Sequence, residues 1–211
     1  MDRVSRRQHR SGFDDPEAEA HFLRAQLRAG EVDLRRLQLW SYFGHPAAEL
    51  VLDERALERP TELRPWFVGL GRFGTKPIAL VAIALAERAL PLVRISEEDL
   101  APYAYAICAA LPVVLRGDLD VYSLRSDFVH FWQRTSNLRR SQGYDRRSPH
   151  LVVERAVRLV ITLQEAGTKR GLGDLELLGR SALAIPGWTD ALLLSDLFAE
   201  VLPQLLEEGQ P

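Results

Sequence analysis

The stretch FVGLGRFGTKP, residues 67–77, decides between two fold classes because its three glycines have the spacing G-x-G-x-x-G. After a strand and before a helix, this spacing is typical of a turn that binds the phosphates of a dinucleotide. Between two helices, the same glycines would only let the chain change direction. The helical pattern TKPIALVAIALAERAL follows at residues 75–90, so the question rests on the residues before the glycines.

The residues around the glycines favour the helical alternative. Only the tripeptide WFV, residues 66–68, could be a preceding strand, and no acidic residue ends LPLVRIS, residues 90–96, which would be the returning strand. The order G-T-K at residues 74–76 also differs from the G-K-[ST] order of a Walker A loop. We therefore interpret residues 69–74 as a turn between helices, with glycine providing positive φ and Thr75 capping the next helix. A nucleotide-binding enzyme or sensor that uses this turn is the alternative.

Start and stop signals for helices recur along the rest of the chain. Asp33 can cap a helix that Gly44 ends, and Pro46 is suited to the first turn of the next one. In SPHLVVERAVRLVITLQEAG, residues 148–167, the frequent Val and Ile make a strand the competing interpretation, but the long run without a turn signal favours a helix. The sequence predicts an all-α fold, either a multi-helix bundle or an irregular array of helical hairpins, with about eight to ten helices.

The composition is that of a globular protein, with 46 % hydrophobic and 27 % charged residues in a chain of 211. We predict a mobile basic arm at residues 1–12 and a single all-helical domain at residues 13–211. A soft boundary is expected near residues 58–64, where ERPTELRP places two prolines close together. The net charge of −2 gives the whole molecule no strong attraction for nucleic acid or membranes.

Two apolar runs could suggest a membrane protein, IALVAIALA at residues 78–86 and LAPYAYAICAALPVVL at residues 100–115. Both are shorter than the about 20 apolar residues that span a bilayer, so we interpret them as buried central helices. The segment SRRQHR, residues 5–10, is similar to a twin-arginine export signal, but acidic rather than apolar residues follow it. The single cysteine, Cys108, fits a reducing compartment. We expect a cytoplasmic protein that does not bind membranes.

Residues that could carry catalysis or hold a metal are few. The five histidines form no H-x-x-x-H or H-E-x-x-H pair, and Asp127 and His130 are only two ligands on one side of a helix. Cys108 lies in the apolar segment AYAICAALP, which indicates a core residue rather than a nucleophile. The sequence has no G-x-S-x-G motif. We therefore assign no catalytic residue, metal or cofactor, and the pattern favours a non-enzymatic protein.

The segment RTSNLRRSQGYDRRS, residues 134–148, concentrates arginine. It has net charge +4 over residues 134–147, in a protein of net charge −2. Gly143 and Tyr144 favour a loop between helices, and such a charged segment is commonly a solvated connector. The functional interpretation is contact with an acidic patch of another protein or with a phosphate, because guanidinium pairs bidentately with both groups. Nucleic-acid binding by this segment and the basic arm is a further alternative.

Tryptophan and arginine are enriched at the energetic centres of protein interfaces. We expect Trp66, Trp132 and Trp188 to be exposed, and Trp132 lies two residues before the start of the arginine-rich segment. The candidate partner-binding residues are Trp132, Arg134, Arg139, Arg140, Arg146 and Arg147.

Residues 22–52, FLRAQLRAGEVDLRRLQLWSYFGHPAAELVL, resemble a recurrent helical segment of uncharacterised bacterial proteins, FLRARLRAGEL-xx-RL-x-LAAYLGHPAA. Trp40-Ser41 stands where small residues are usual. Proteins of this kind are small all-helical accessory proteins, including immunity proteins against toxins. The resemblance implies a helical protein-binding module of immunity or adaptor type, and it implies no activity. In the residues themselves, Gly30 and Gly44 would each end a helix, and His45 would cap a helix end rather than act in catalysis.

Overall fold

The computed structural model describes residues 15–96, 100–118, 120–142 and 148–207. In these ranges 84 % of the residues are helical and no strand is present, so the predicted all-α class is confirmed. The predicted basic arm, residues 1–12, lies outside the described residues. The α-helices of the described ranges are α1 (Pro16–Ala29), α2 (Leu34–Tyr42), α3 (Pro46–Leu52), α4 (Leu63–Leu70), α5 (Thr75–Ser96), α6 (Ala101–Arg116), α7 (Val121–Gln142), α8 (His150–Ala166), α9 (Thr168–Leu183) and α10 (Asp190–Glu207).

The chain divides into two compact units. The smaller unit comprises Met1–Arg59 together with Phe198–Pro211, and the larger comprises Pro60–Leu197. The division after Arg59 lies within the segment ERPTELRP, and the residues of α10 are shared between the two units.

In the smaller unit, α3 packs against both α1 and α2. The N-terminus of α2 is capped by Asp33, whose Oδ1 accepts a hydrogen bond from the backbone N–H of Arg36 at 2.7 Å. Gly30 ends α1 with a φ of 75°, a left-handed conformation that glycine adopts without steric cost. The fully buried Tyr42 and Phe43 lie at the end of α2, where the sequence predicted the helix to stop.

In the larger unit, α5 and α8 are central. Helix α8 packs against α5, α6, α7 and α9, and every residue from 78 to 86 on α5 is buried. The Val- and Ile-rich run is a helix, α8, and not a strand. Because α8 packs against four other helices, its composition is as apolar as that of a buried strand. Helix α6 continues through Pro112 to Arg116.

The second apolar run is less buried than predicted. Helix α6 turns one side into the unit with Ala104, Ile107 and Leu111, whereas Tyr105 and Ala109 on its other side are exposed. In the part of the chain that the structure describes, no helix is both long and apolar enough to cross a bilayer.

The glycine stretch lies between two helices. Residues 66–68 belong to α4, so the strand that a dinucleotide-binding turn requires is not formed there. A 3₁₀ turn over Gly71–Phe73 follows, and Gly74 then takes a φ of 101° directly before α5. A turn between helices is confirmed for residues 71–74, whereas Gly69 still belongs to α4, and of the three glycines only Gly74 has a positive φ. Thr75 is the first residue of α5 rather than its cap.

Three glycines of the larger unit stand where a larger side chain would meet a neighbour. A Cβ at Gly71 would lie 2.8 Å from Cδ2 of Leu172, and a Cβ at Gly179 would lie 2.8 Å from Cε2 of Phe67. At Gly171 the corresponding distance to Cδ2 of Leu163 is 2.4 Å. These distances are too short for a real Cβ, so glycine permits the close packing of α9 on α4, α8 and the 3₁₀ turn.

Candidate functional site

The arginine-rich segment is helical for much of its length. Helix α7 continues to Gln142, so Arg134, Arg139 and Arg140 lie on a helix, and the loop suggested by Gly143 and Tyr144 does not include these three. The structure describes only the backbone at residues 139 and 140. Arg146 and Arg147 lie outside the described residues.

A groove lies between α7 and α8, which run antiparallel. At one end Arg125 forms an ion pair with Glu165, with Nη1 and Oε1 3.0 Å apart. At the other end Oγ1 of Thr135 lies 3.4 Å from Oε2 of Glu154. The volume of this α7–α8 groove is about 430 Å³. Its lining residues are Arg125, Phe128, Val129 and Trp132 of α7, with Glu154, Arg158, Ile161, Thr162 and Glu165 of α8.

Helix α7 carries an exposed apolar stripe, of which Val129 and Trp132 line the groove. Tyr122 is 70 % exposed, Val129 43 % and Trp132 48 %. Their spacing of seven and three residues places them on one face of the helix. The buried residues Leu124 and Phe131 lie on the side that packs into the unit. Large apolar side chains grouped on a surface are typical of an interaction site.

The charged groups of the groove are paired within the protein. Arg125 pairs with Glu165, and Nε of Arg158 lies 3.3 Å from Oδ1 of Asp174 on α9. Thr162 donates a hydrogen bond of 2.8 Å from Oγ1 to Oδ2 of Asp174. Because these partners are already in place, the groove presents an apolar floor between preformed ion pairs.

Arg134 and Trp132 are not brought together. They are two residues apart in a helix of 3.6 residues per turn, so their directions from the helix axis differ by about 160°. The guanidinium of Arg134 lies 4.2 Å from the ring centroid of Tyr103 on α6, in cation–π geometry. Arg134 therefore fastens α7 to α6, whereas Trp132 faces the α7–α8 groove.

Trp66 and Trp188 are both less exposed to solvent than predicted. Trp66 is 0 % exposed and packs beside Phe67, with ring centroids 5.7 Å apart, so the prediction that it is exposed is wrong. Trp188 is partly exposed, and the guanidinium of Arg88 lies 5.4 Å from its ring centroid. Of the three, Trp132 is the one with a half-exposed ring.

The smaller unit has its own open cavity of about 630 Å³. Among its lining residues are Glu49 and Arg59, which form an ion pair of 3.0 Å, and Asp53, whose φ of 48° is unusual for a residue with a side chain. Within the described ranges no group of three or more His, Cys, Asp or Glu side chains is placed to hold a metal ion. Cys108 is buried, and this burial raises the pKa of its thiol to about 12, as expected for a core residue.

His45 caps α3, as the sequence predicted. Its Nδ1 accepts a hydrogen bond from the backbone N–H of Ala48 at 3.3 Å, which requires Nδ1 to be unprotonated. On the other side of the ring, Nε2 lies 3.5 Å from Oε1 of Glu19. Burial lowers the pKa of His45 below its usual 6.5, and the opposing attraction of Glu19 and Glu49 does not reverse the shift.

This cap makes the stability of the smaller unit depend on pH. Below the usual pKa of 6.5, the unfolded chain binds the proton on His45 more readily than the folded one, so stability falls as the pH falls. The loss continues until the pH reaches the folded pKa, at about 1.4 kcal/mol for each pH unit between the two values. We expect His45→Asn, which keeps a capping oxygen without the titration, to lose less stability than wild type between about pH 7.5 and pH 5.

Thermal melts of both proteins across this pH range measure the difference, because the protein's other titrating groups are common to the two chains. Parallel pH profiles would show that His45 does not carry the effect.

The α8 side of the groove was missed by reasoning from the sequence. Its residues occur at positions 154, 158, 161, 162 and 165, a spacing that marks one side of a helix. The alternation of exposed and buried residues along α7 was also present in the sequence. What the sequence did not show is that these two helix faces lie side by side.

Comparisons with known protein families, with curated proteins and with solved structures give no match for this chain. The resemblance of residues 22–52 to helical bacterial accessory proteins therefore stays a prediction.

Proposed function

We propose that this protein is a non-enzymatic helical module, of adaptor or immunity type, that binds another protein through the α7–α8 groove. The observation that carries the proposal is the half-exposed ring of Trp132 in this groove, beside Phe128, Val129 and Ile161. A partner that covers the ring would remove apolar surface from water and gain about 25 cal/mol for each Å² buried.

The surroundings of Trp132 suit a binding centre. Energetically important interface residues are commonly large aromatics that fill a pocket and are surrounded by groups that exclude water. Here Arg125–Glu165 and Arg158–Asp174 flank the apolar floor. Since these pairs are preformed, an apolar side chain can enter between them without leaving an unpaired charge behind.

Site-specific photocrosslinking tests this function. A benzoylphenylalanine in place of Trp132 should give one discrete crosslinked species in cells of the source organism. The matched control is the same residue in place of Val68, which is 63 % exposed on α4 and lies outside the groove. A crosslink at position 68 but none at 132, or equal patterns at both, would contradict the proposal.

A further inference from the structure

We infer that the occupant of the α7–α8 groove is an acidic amphipathic helix. An apolar residue of this helix would lie against Trp132. Its carboxylates would lie two turns before and two turns after that residue, on the side that faces α7. This inference rests on the proposed function and adds the chemistry of the partner.

The charge of α7 supports an acidic occupant. The face of α7 that bears Trp132 has arginine at positions 125 and 139 and no acidic residue, since Asp127 lies on another side and Arg134 faces α6. On α8 the groove is lined by Glu154, Glu165 and Arg158, and Arg158 is already paired with Asp174. The two sides therefore differ, and a carboxylate of the occupant would be attracted towards α7 and repelled from α8.

The spacing of the arginine positions along α7 sets where the carboxylates of the occupant would lie. Arg125 is seven residues before Trp132 and position 139 is seven residues after it, so both positions share the face of Trp132. Seven residues of helix span about 10 Å. A second helix lying along α7 would therefore meet Trp132 at its middle and an arginine position two turns away in each direction.

Arg125 can take part without losing its present partner. Its side chain is 56 % exposed, and it uses Nη1 for the ion pair with Glu165. Guanidinium has five N–H donors, so further donors are free to bind a carboxylate of the occupant. Binding through a helix laid in a groove is a common way to recognise a partner segment.

The test is selection from a displayed library of helical peptides of about 20 residues, with the purified full chain as target at low salt. Enriched peptides should carry an apolar residue with acidic residues two turns before and after it. An enriched peptide should bind the Arg125→Ser, Arg139→Ser double variant at least about fivefold more weakly, with a flatter salt dependence. Arg28→Ser, at an exposed position on α1, is the matched control and should bind as wild type does.

The outcomes separate the inference from the proposed function. Enriched peptides that require Trp132 but show no acidic preference, or that bind the double variant normally, would overturn the inference alone. Peptides that bind Trp132→Ala as tightly as wild type would count against the groove itself, and so against the proposed function. If no helical peptide is enriched, the inference fails, and the crosslinking experiment still decides the function. Circular dichroism of each variant shows whether it is folded.

Discussion

Replacing Trp66 by alanine should lower the free energy of unfolding by about 3–5 kcal/mol, whereas the same change at Trp132 should lower it by less than about 1 kcal/mol. Trp66 is fully buried and Trp132 is half exposed. The alanine at position 66 removes the ring from the interior and leaves a cavity that the neighbouring helices can fill only in part. At position 132 the ring already contacts water on one side, so less burial is lost.

Denaturant unfolding of the two variants, followed by circular dichroism, measures the contrast. Both substitutions remove the same side chain from the larger unit, so each is a control for the other. Equal losses of stability would mean that Trp132 is as well packed as Trp66, and the α7–α8 groove would then have no exposed aromatic floor.

Gly179→Ala should destabilise the protein by about 1–3 kcal/mol, although the same substitution at Gly173 should stabilise it by about 0.5–1 kcal/mol. Both glycines lie on α9, where alanine is intrinsically favoured over glycine. At position 173 nothing lies within 4 Å of the added methyl group, so only the helix preference acts. At position 179 the methyl group would lie 2.8 Å from the ring of Phe67, which is itself buried.

Melting temperatures of the two variants should therefore shift in opposite directions from wild type. A stabilising effect at both positions would show that Phe67 moves away at little cost and that α9 and α4 are not packed as closely as described. The opposite signs also separate local helix preference from tertiary packing, since the sequence change is identical.

Local chemistry made much of the fold predictable. Asp33 caps a helix, Gly30 ends one, and Pro46 begins one, each where the sequence indicated. The length of α7 was also readable in principle, because no glycine or proline interrupts residues 121–142. The loop predicted from Gly143 and Tyr144 began too early in the chain, because it included residues 134–142, whose helix preference is ordinary.

The candidate site was less predictable because it depends on which helix faces meet. Trp66 and Trp132 both lie on helices among mixed neighbours, and nothing local shows that one is buried and the other half exposed. The partner of Arg134 is Tyr103, 31 positions earlier in the chain. Contacts of this kind follow from tertiary packing, which periodicity within one segment does not determine.

The narrow attachment of α7 has a consequence for its dynamics. Among its described side chains only Leu124, Phe131 and Thr135 are buried, whereas α8 buries residues along its whole length. Since the cost of local opening rises with the apolar surface that must be exposed, α7 should open at a lower free energy than α8. A partner that covers α7 would then suppress this opening. The conformational entropy that α7 loses would reduce the net binding free energy.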